Sequence, residues 1–111
     1  MKPILRFGSL VLLLILSSVL SGGPLITEFM ADNDSSLADE DGDFSDWIEI
    51  HNPDESSVDL GGWFLTDNES APSKWELPPV TLEPGGFLVV FASGKDRGLQ
   101  GSELHTNFQL N

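Results

Sequence analysis

Asp46-Trp47-Ile48-Glu49-Ile50-His51 is the stretch that decides the fold. Ile48 and Ile50 fall on one side of an extended chain, and Trp47, Glu49 and His51 fall on the other. That is the period-two pattern of a half-buried strand. Asn52-Pro53-Asp54 ends it, because proline fixes φ and an aspartate can bond back to the backbone. Downstream, Val58-Asp59-Leu60 reads as a brief strand closed by Gly61-Gly62, and Trp63–Thr66 as the next. Lys74–Leu77 alternates again before Pro78-Pro79, and Val80–Leu82 leads into the turn Glu83-Pro84-Gly85-Gly86. Phe87-Leu88-Val89-Val90-Phe91-Ala92 is continuously apolar, short and preceded by glycines, which predicts a central strand buried on both faces.

Upstream, Leu25–Met30 alternates as a short strand, and Ala31–Ser45 is polar, acidic and without apolar periodicity, hence a long loop. No stretch carries a helical stripe of useful length. Short strands about ten residues apart, with turn signals between them, predict an all-β sandwich. The pattern stops at Leu110-Asn111 inside an expected strand, Asn107–Leu110, so the sandwich is expected to be incomplete at its C-terminus.

The first residues have a different character. Lys2 and Arg6 give a basic start, Leu10–Leu16 is uninterrupted aliphatic sequence, and Ser17–Gly23 is small and turn-prone. This is the order of an export signal, with cleavage expected after Ser21 and a helical signal peptide over residues 1–21. The apolar run falls short of the ~20 residues that a spanning helix needs. Cleavage would leave 90 residues, 111 less 21, and remove Lys2 and Arg6, so that 3 basic residues face 18 acidic ones for a charge of −15. The domain would then span residues 22–111, located outside the cell or on its surface and free of the membrane.

Such acidity repels phosphates and argues against a nucleic-acid partner. The chain has no Cys, which excludes a disulfide-stapled miniprotein and a lipid attached through a cysteine. The core must come from apolar packing, with or without the help of a bound metal.

The densest chemistry lies in the loop Asp39-Glu40-Asp41-Gly42-Asp43-Phe44-Ser45-Asp46. Carboxylates at every second residue suit a hard cation. Asp39, Asp41 and Asp43 match the first three ligand positions of an EF-hand, but Phe44 stands where its glycine should be and Ile50 where its last glutamate should be, so an EF-hand is rejected. A different calcium site made by Asp39, Asp41, Asp43 and Asp46 is the metal reading, and a plainly solvated acidic loop is the simpler one. No other cofactor is implied. His51 and His105 are far apart in sequence, and neither a zinc-protease helix motif, a nucleophile elbow nor a phosphate loop occurs. No catalytic residue is assigned, and the chain is read as not an enzyme.

The order of motifs supports a resemblance. Ile26-Thr27-Glu28-Phe29-Met30-Ala31, then Asp46–Pro53, then Val58-Asp59-Leu60-Gly61-Gly62-Trp63-Phe64-Leu65-Thr66-Asp67, then Leu82–Val90 resemble the lamin-tail domain over about residues 24–111. The segment Phe91–Arg97 is similar to that of secreted bacterial versions. The resemblance implies an immunoglobulin-like β-sandwich and a non-catalytic binding or structural module of a secreted or surface protein. It would recognise a protein, glycan or mineral surface, with further domains of the same parent chain as neighbours. The alternative it implies is the N-terminal accessory domain of a larger secreted nuclease, hydrolase or spore-coat-type kinase. A nuclear-lamina role does not fit a chain with an export signal, no coiled-coil rod and no basic localisation run.

Overall fold

The computed structural model describes residues 23–110, together with the backbone of two N-terminal strands, Ile4–Phe7 (β1) and Leu10–Ile15 (β2). The remaining strands are Leu25–Met30 (β3), Asp46–His51 (β4), Val58–Asp59 (β5), Phe64–Thr66 (β6), Trp75–Glu76 (β7), Thr81–Leu82 (β8), Phe87–Ala92 (β9) and Leu104–His105 (β10). Among the described residues there is no helix, and so none long and apolar enough to cross a membrane. Of residues 1–21, where a helical signal peptide is expected, eleven lie outside the described residues. Where backbone is described there it is extended, and β2 pairs antiparallel with β6, Leu14 opposite Leu65. Aliphatic residues suit a sheet, and pairing satisfies the backbone groups that an edge strand leaves open.

Two four-stranded sheets, ordered β1-β2-β6-β7 and β10-β9-β4-β3, are joined by a two-stranded ribbon, β5-β8. The core draws on both sheets. Ile48, Ile50 and Val90 from one meet Leu65 and Trp75 from the other, with Leu60, Trp63, Leu77 and Leu82 between. Ile48, Ile50, Leu60, Leu65 and Val90 have no exposed surface. Buried aliphatic residues on facing sheets are what hold a sandwich of this size together, since each contributes roughly 1.5–3 kcal/mol.

Turn chemistry fixes the ends of the strands. Gly86 N–H donates to Glu83 O at 2.8 Å and Gly85 has φ +72°, so Glu83-Pro84-Gly85-Gly86 is a turn that needs glycine at its third position. Asn52, fully buried, ties this turn to the end of β4. Its Nδ2 donates to the carbonyls of Ser56, Leu82 and Glu83, its Oδ1 accepts Asp54 N–H, and its own backbone exchanges hydrogen bonds with Gly85 and Gly86. A buried amide with every group used holds two turns in one register.

Two expectations are corrected here. β9 is central, between β4 and β10, yet only its second half is buried on both faces, and Phe87 is 58% exposed. Near the C-terminus the extended pair is Leu104–His105, parallel to β9, while the segment expected as a strand contributes one bridge, Gln109 to Ser93.

Candidate functional site

Asp39 begins the site. Its backbone N–H donates to Asp43 O and its carbonyl accepts Gly42 N–H, with Gly42 at φ +83°, so residues 39–43 form a tight turn. The Asp39 side chain folds into that turn. Oδ1 accepts the backbone N–H groups of Asp41 and Asp43 at 3.0 Å each, and Oδ2 accepts Ser45 Oγ–H at 2.8 Å. Aspartate is suited to this because its short carboxylate reaches amides two and four residues on.

The loop is closed by a cation from across the chain. After β9, Gly94 and Asp96 take positive φ, and the chain between them aims Lys95 at the acidic turn. Lys95 Nζ donates to Asp39 Oδ2, Asp41 Oδ2 and Asp43 Oδ2, all at 2.8 Å. Arg97 reaches Asp41 at 2.8 Å and Glu40 at 3.3 Å. Burial alone would raise the Asp39 carboxyl, but the Lys95 ammonium, Ser45 and the two backbone donors outweigh it and hold it well below the usual carboxylate range. Lys95 shows the mirror effect: burial would lower it, and the three carboxylates raise it.

A second thread runs beneath. His105, fully buried on β10, has Nδ1 2.8 Å from Ser93 Oγ and Nε2 2.9 Å from Glu40 Oε1. A Ser93 hydroxyl donating to Nδ1, with Nε2–H donating to Glu40, satisfies all three groups; Ser93 Oγ then accepts Lys95 N–H at 3.1 Å. Glu40 also accepts from the Ser102 hydroxyl and backbone N–H, and its carboxyl is pushed down to about 2, by the Ser102 hydroxyl first and by His105 and Arg97 after it. Serine, imidazole and carboxylate in sequence form the order of a nucleophilic relay. Here Ser93 is nine-tenths buried. The relay binds the acidic loop to β9 and β10.

Of the four carboxylates expected to share a cation, three come together: Asp39, Asp41 and Asp43 offer oxygens within 4.8 Å of one another. They converge on the Lys95 ammonium. Asp46 faces elsewhere, its Oδ1 accepting Asn33 N–H and its Oδ2 accepting Leu110 N–H. Glu40, Glu103 and His105 make a second such group.

Sequence reasoning missed Lys95, Arg97 and Ser93, and set His105 aside because it lies far from His51 in sequence. One signal was available: beyond residue 21 the only basic residues are Lys74, Lys95 and Arg97, and two of these stand two apart, matching the two-residue spacing of Asp39, Asp41 and Asp43.

Neither a search of curated proteins nor one of solved structures returns a match. The model of the Lamin Tail Domain family matches residues 20–111. That span includes β3 to β10, the sandwich core and the whole Lys95 site, and the chain belongs to the lamin tail domain family.

Proposed function

We propose that this chain is a secreted or cell-surface lamin-tail module that binds rather than catalyses, exported by residues 1–21. The observation that carries the reading is the closed polar network. Glu40, Asp41, Ser93, Lys95, Arg97 and His105 direct their polar atoms at one another, which suits cohesion of a binding scaffold. Its partner is a protein or glycan. The net charge of −13 disfavours nucleic acid.

Two measurements test this. Intact mass of the protein recovered from an expressing culture is expected to show a chain that starts at Gly22 in the medium; full-length protein retained in the cells overturns the export assignment. A panel of ester, glycoside, peptide and phosphodiester substrates is expected to give no turnover. Turnover that Ser93→Ala abolishes would make the buried relay catalytic and overturn the binding assignment. A reading frame that continues past Asn111 into a catalytic domain would make the module that enzyme's accessory part.

A further inference from the structure

The outer face of the β10-β9-β4-β3 sheet is open at one end. In register, Leu25, His51 and Phe87 stand side by side across three strands. Leu25 is 41% exposed and Phe87 58%. The His51 ring is stacked on Phe87, centroids 4.2 Å apart and planes 18° from parallel, and its Nδ1 lies 3.1 Å from Gly86 O. A ring held by a backbone carbonyl and by stacking is fixed before anything binds.

The next row holds Glu28, Glu49 and Val89. Glu28 and Glu49 are directly opposed across the strands, an arrangement of like charges that destabilises a sheet. Thr27 Oγ1 donates to Glu49 at 2.9 Å, so Glu49 is held in place as an acceptor. An apolar, aromatic row beside a pair of carboxylates with no cation partner among the described residues asks for a ligand with both characters. A second copy brings the wrong charge, since without residues 1–21 each chain carries 3 basic and 18 acidic residues, a charge of −15. An arginine or lysine would meet the two glutamates and the Phe87 ring face, and a neighbouring aliphatic side chain would cover Leu25.

From this charge complementarity we propose that the Leu25–His51–Phe87 row and the Glu28–Glu49 pair form a docking surface for a basic, apolar-studded polypeptide segment of a partner protein. The proposal rests on the reading of the chain as a binding module and names the chemistry of its partner.

The test titrates isotope-labelled protein, in about 150 mM NaCl to screen long-range attraction, with a synthetic decapeptide of alternating arginine and leucine. Amide shifts are expected to cluster at Leu25–Glu28, Glu49–His51 and Phe87–Val89. Phe87→Ala, at an exposed position, is expected to weaken binding at least ~10-fold while the melting temperature falls by no more than about 5 °C, as the loss of one exposed stack implies. Glu49→Gln is expected to weaken binding and to flatten its salt dependence. Equal binding by an arginine–glycine decapeptide, or shifts confined to residues 39–46, would overturn the proposal. So would sedimentation showing that the face is covered in a dimer. These outcomes are separate from substrate turnover or cell retention, which bear on the binding-module reading itself.

Discussion

Phe87 and Phe91 lie on one strand and on one face of one sheet, yet Phe87 is 58% exposed and Phe91 only 2%. The β9 backbone treats them alike. The difference lies in what comes over them. At the Phe91 end, the His105 ring stacks on Phe91 at 5.4 Å, Glu40 hydrogen-bonds His105, and Lys95 and Arg97 hold the acidic turn above. At the Phe87 end, His51 stacks on the ring and leaves most of it open. Strand periodicity assigns a residue to a face. Whether that face is buried depends on a loop whose own attachment is electrostatic.

The comparison breaks first at Phe91. Truncating a fully packed aromatic leaves a cavity beneath a loop that cannot collapse into it, so Phe91→Ala is expected to cost about 3–5 kcal/mol in chemical denaturation. A cost under about 1 kcal/mol would mean that the loop does not pack there.

Lys95→Met comes next. It leaves the buried Asp39 and its two neighbours without their shared cation, and breaking a buried pair is expensive. Lys95 keeps some solvent exposure, 22% of its side chain, so the expected loss at pH 7 is about 2–3 kcal/mol, below the roughly 3–5 kcal/mol of a fully buried pair.

The variant is also expected to reverse the dependence on pH. In the native chain Asp39, Glu40 and Asp41 have lowered folded pKa values. Their stabilisation is present above the unfolded carboxylate value, roughly 4, and is lost as pH falls through the lowered folded values. Native stability should therefore fall below about pH 4. Without Lys95, Glu40 keeps Ser102, His105 and Arg97 and Asp41 keeps Arg97, but Asp39 and Asp43 lose their cation. Crowding there favours a shared proton, the folded value of that cluster rises, and its stability is lost as pH rises instead. Thermal melts at about pH 4.5 and about pH 7, either side of a raised carboxylate titration, check the sign: Lys95→Met should melt higher at the lower pH.

How much of this was legible in the sequence follows from range. β4 matches its expected bounds, Asp46–His51, because Ile48 and Ile50 alternate against polar residues, and β9 matches Phe87–Ala92 because six apolar residues run between a glycine turn and a polar loop. The turn at Gly85 was written in its own four residues. The two-residue parallel strand Leu104–His105 was not, since two residues carry no period. The acidic loop was legible as acidic and illegible as closed. Asp39 gathers its own turn by local hydrogen bonds, but its burial depends on Lys95, 56 residues away. Phe87 was expected inside because hydrophobicity reports what a side chain favours, and no local pattern reports that a covering loop stops short of it.

Phe87→Ala probes the bare end and should do much less than its counterpart at Phe91. Removing an exposed ring forfeits one cross-strand stack on His51, worth roughly 0.2–1 kcal/mol. A loss comparable to that of Phe91→Ala would mean the two ends are packed alike.

Calcium gives the smallest expected change and sharpens the covered end most. Ca²⁺ can enter the three-carboxylate cluster only by displacing an ammonium that already makes three 2.8 Å hydrogen bonds there. Adding about 5 mM Ca²⁺ should therefore shift the native melting temperature by no more than about 1 °C. A site with a Kd of ~0.1 mM would add about 2 kcal/mol at that concentration, a shift near ~10 °C for a domain of this size. The two outcomes are well separated. In Lys95→Met, Asp39 and Asp43 lose their cation and Asp41 keeps only Arg97, and Ca²⁺ should recover part of the stability lost. If native protein and variant respond equally, the ammonium is not what fills the cluster, and the loop over Phe91 is held by something other than Lys95.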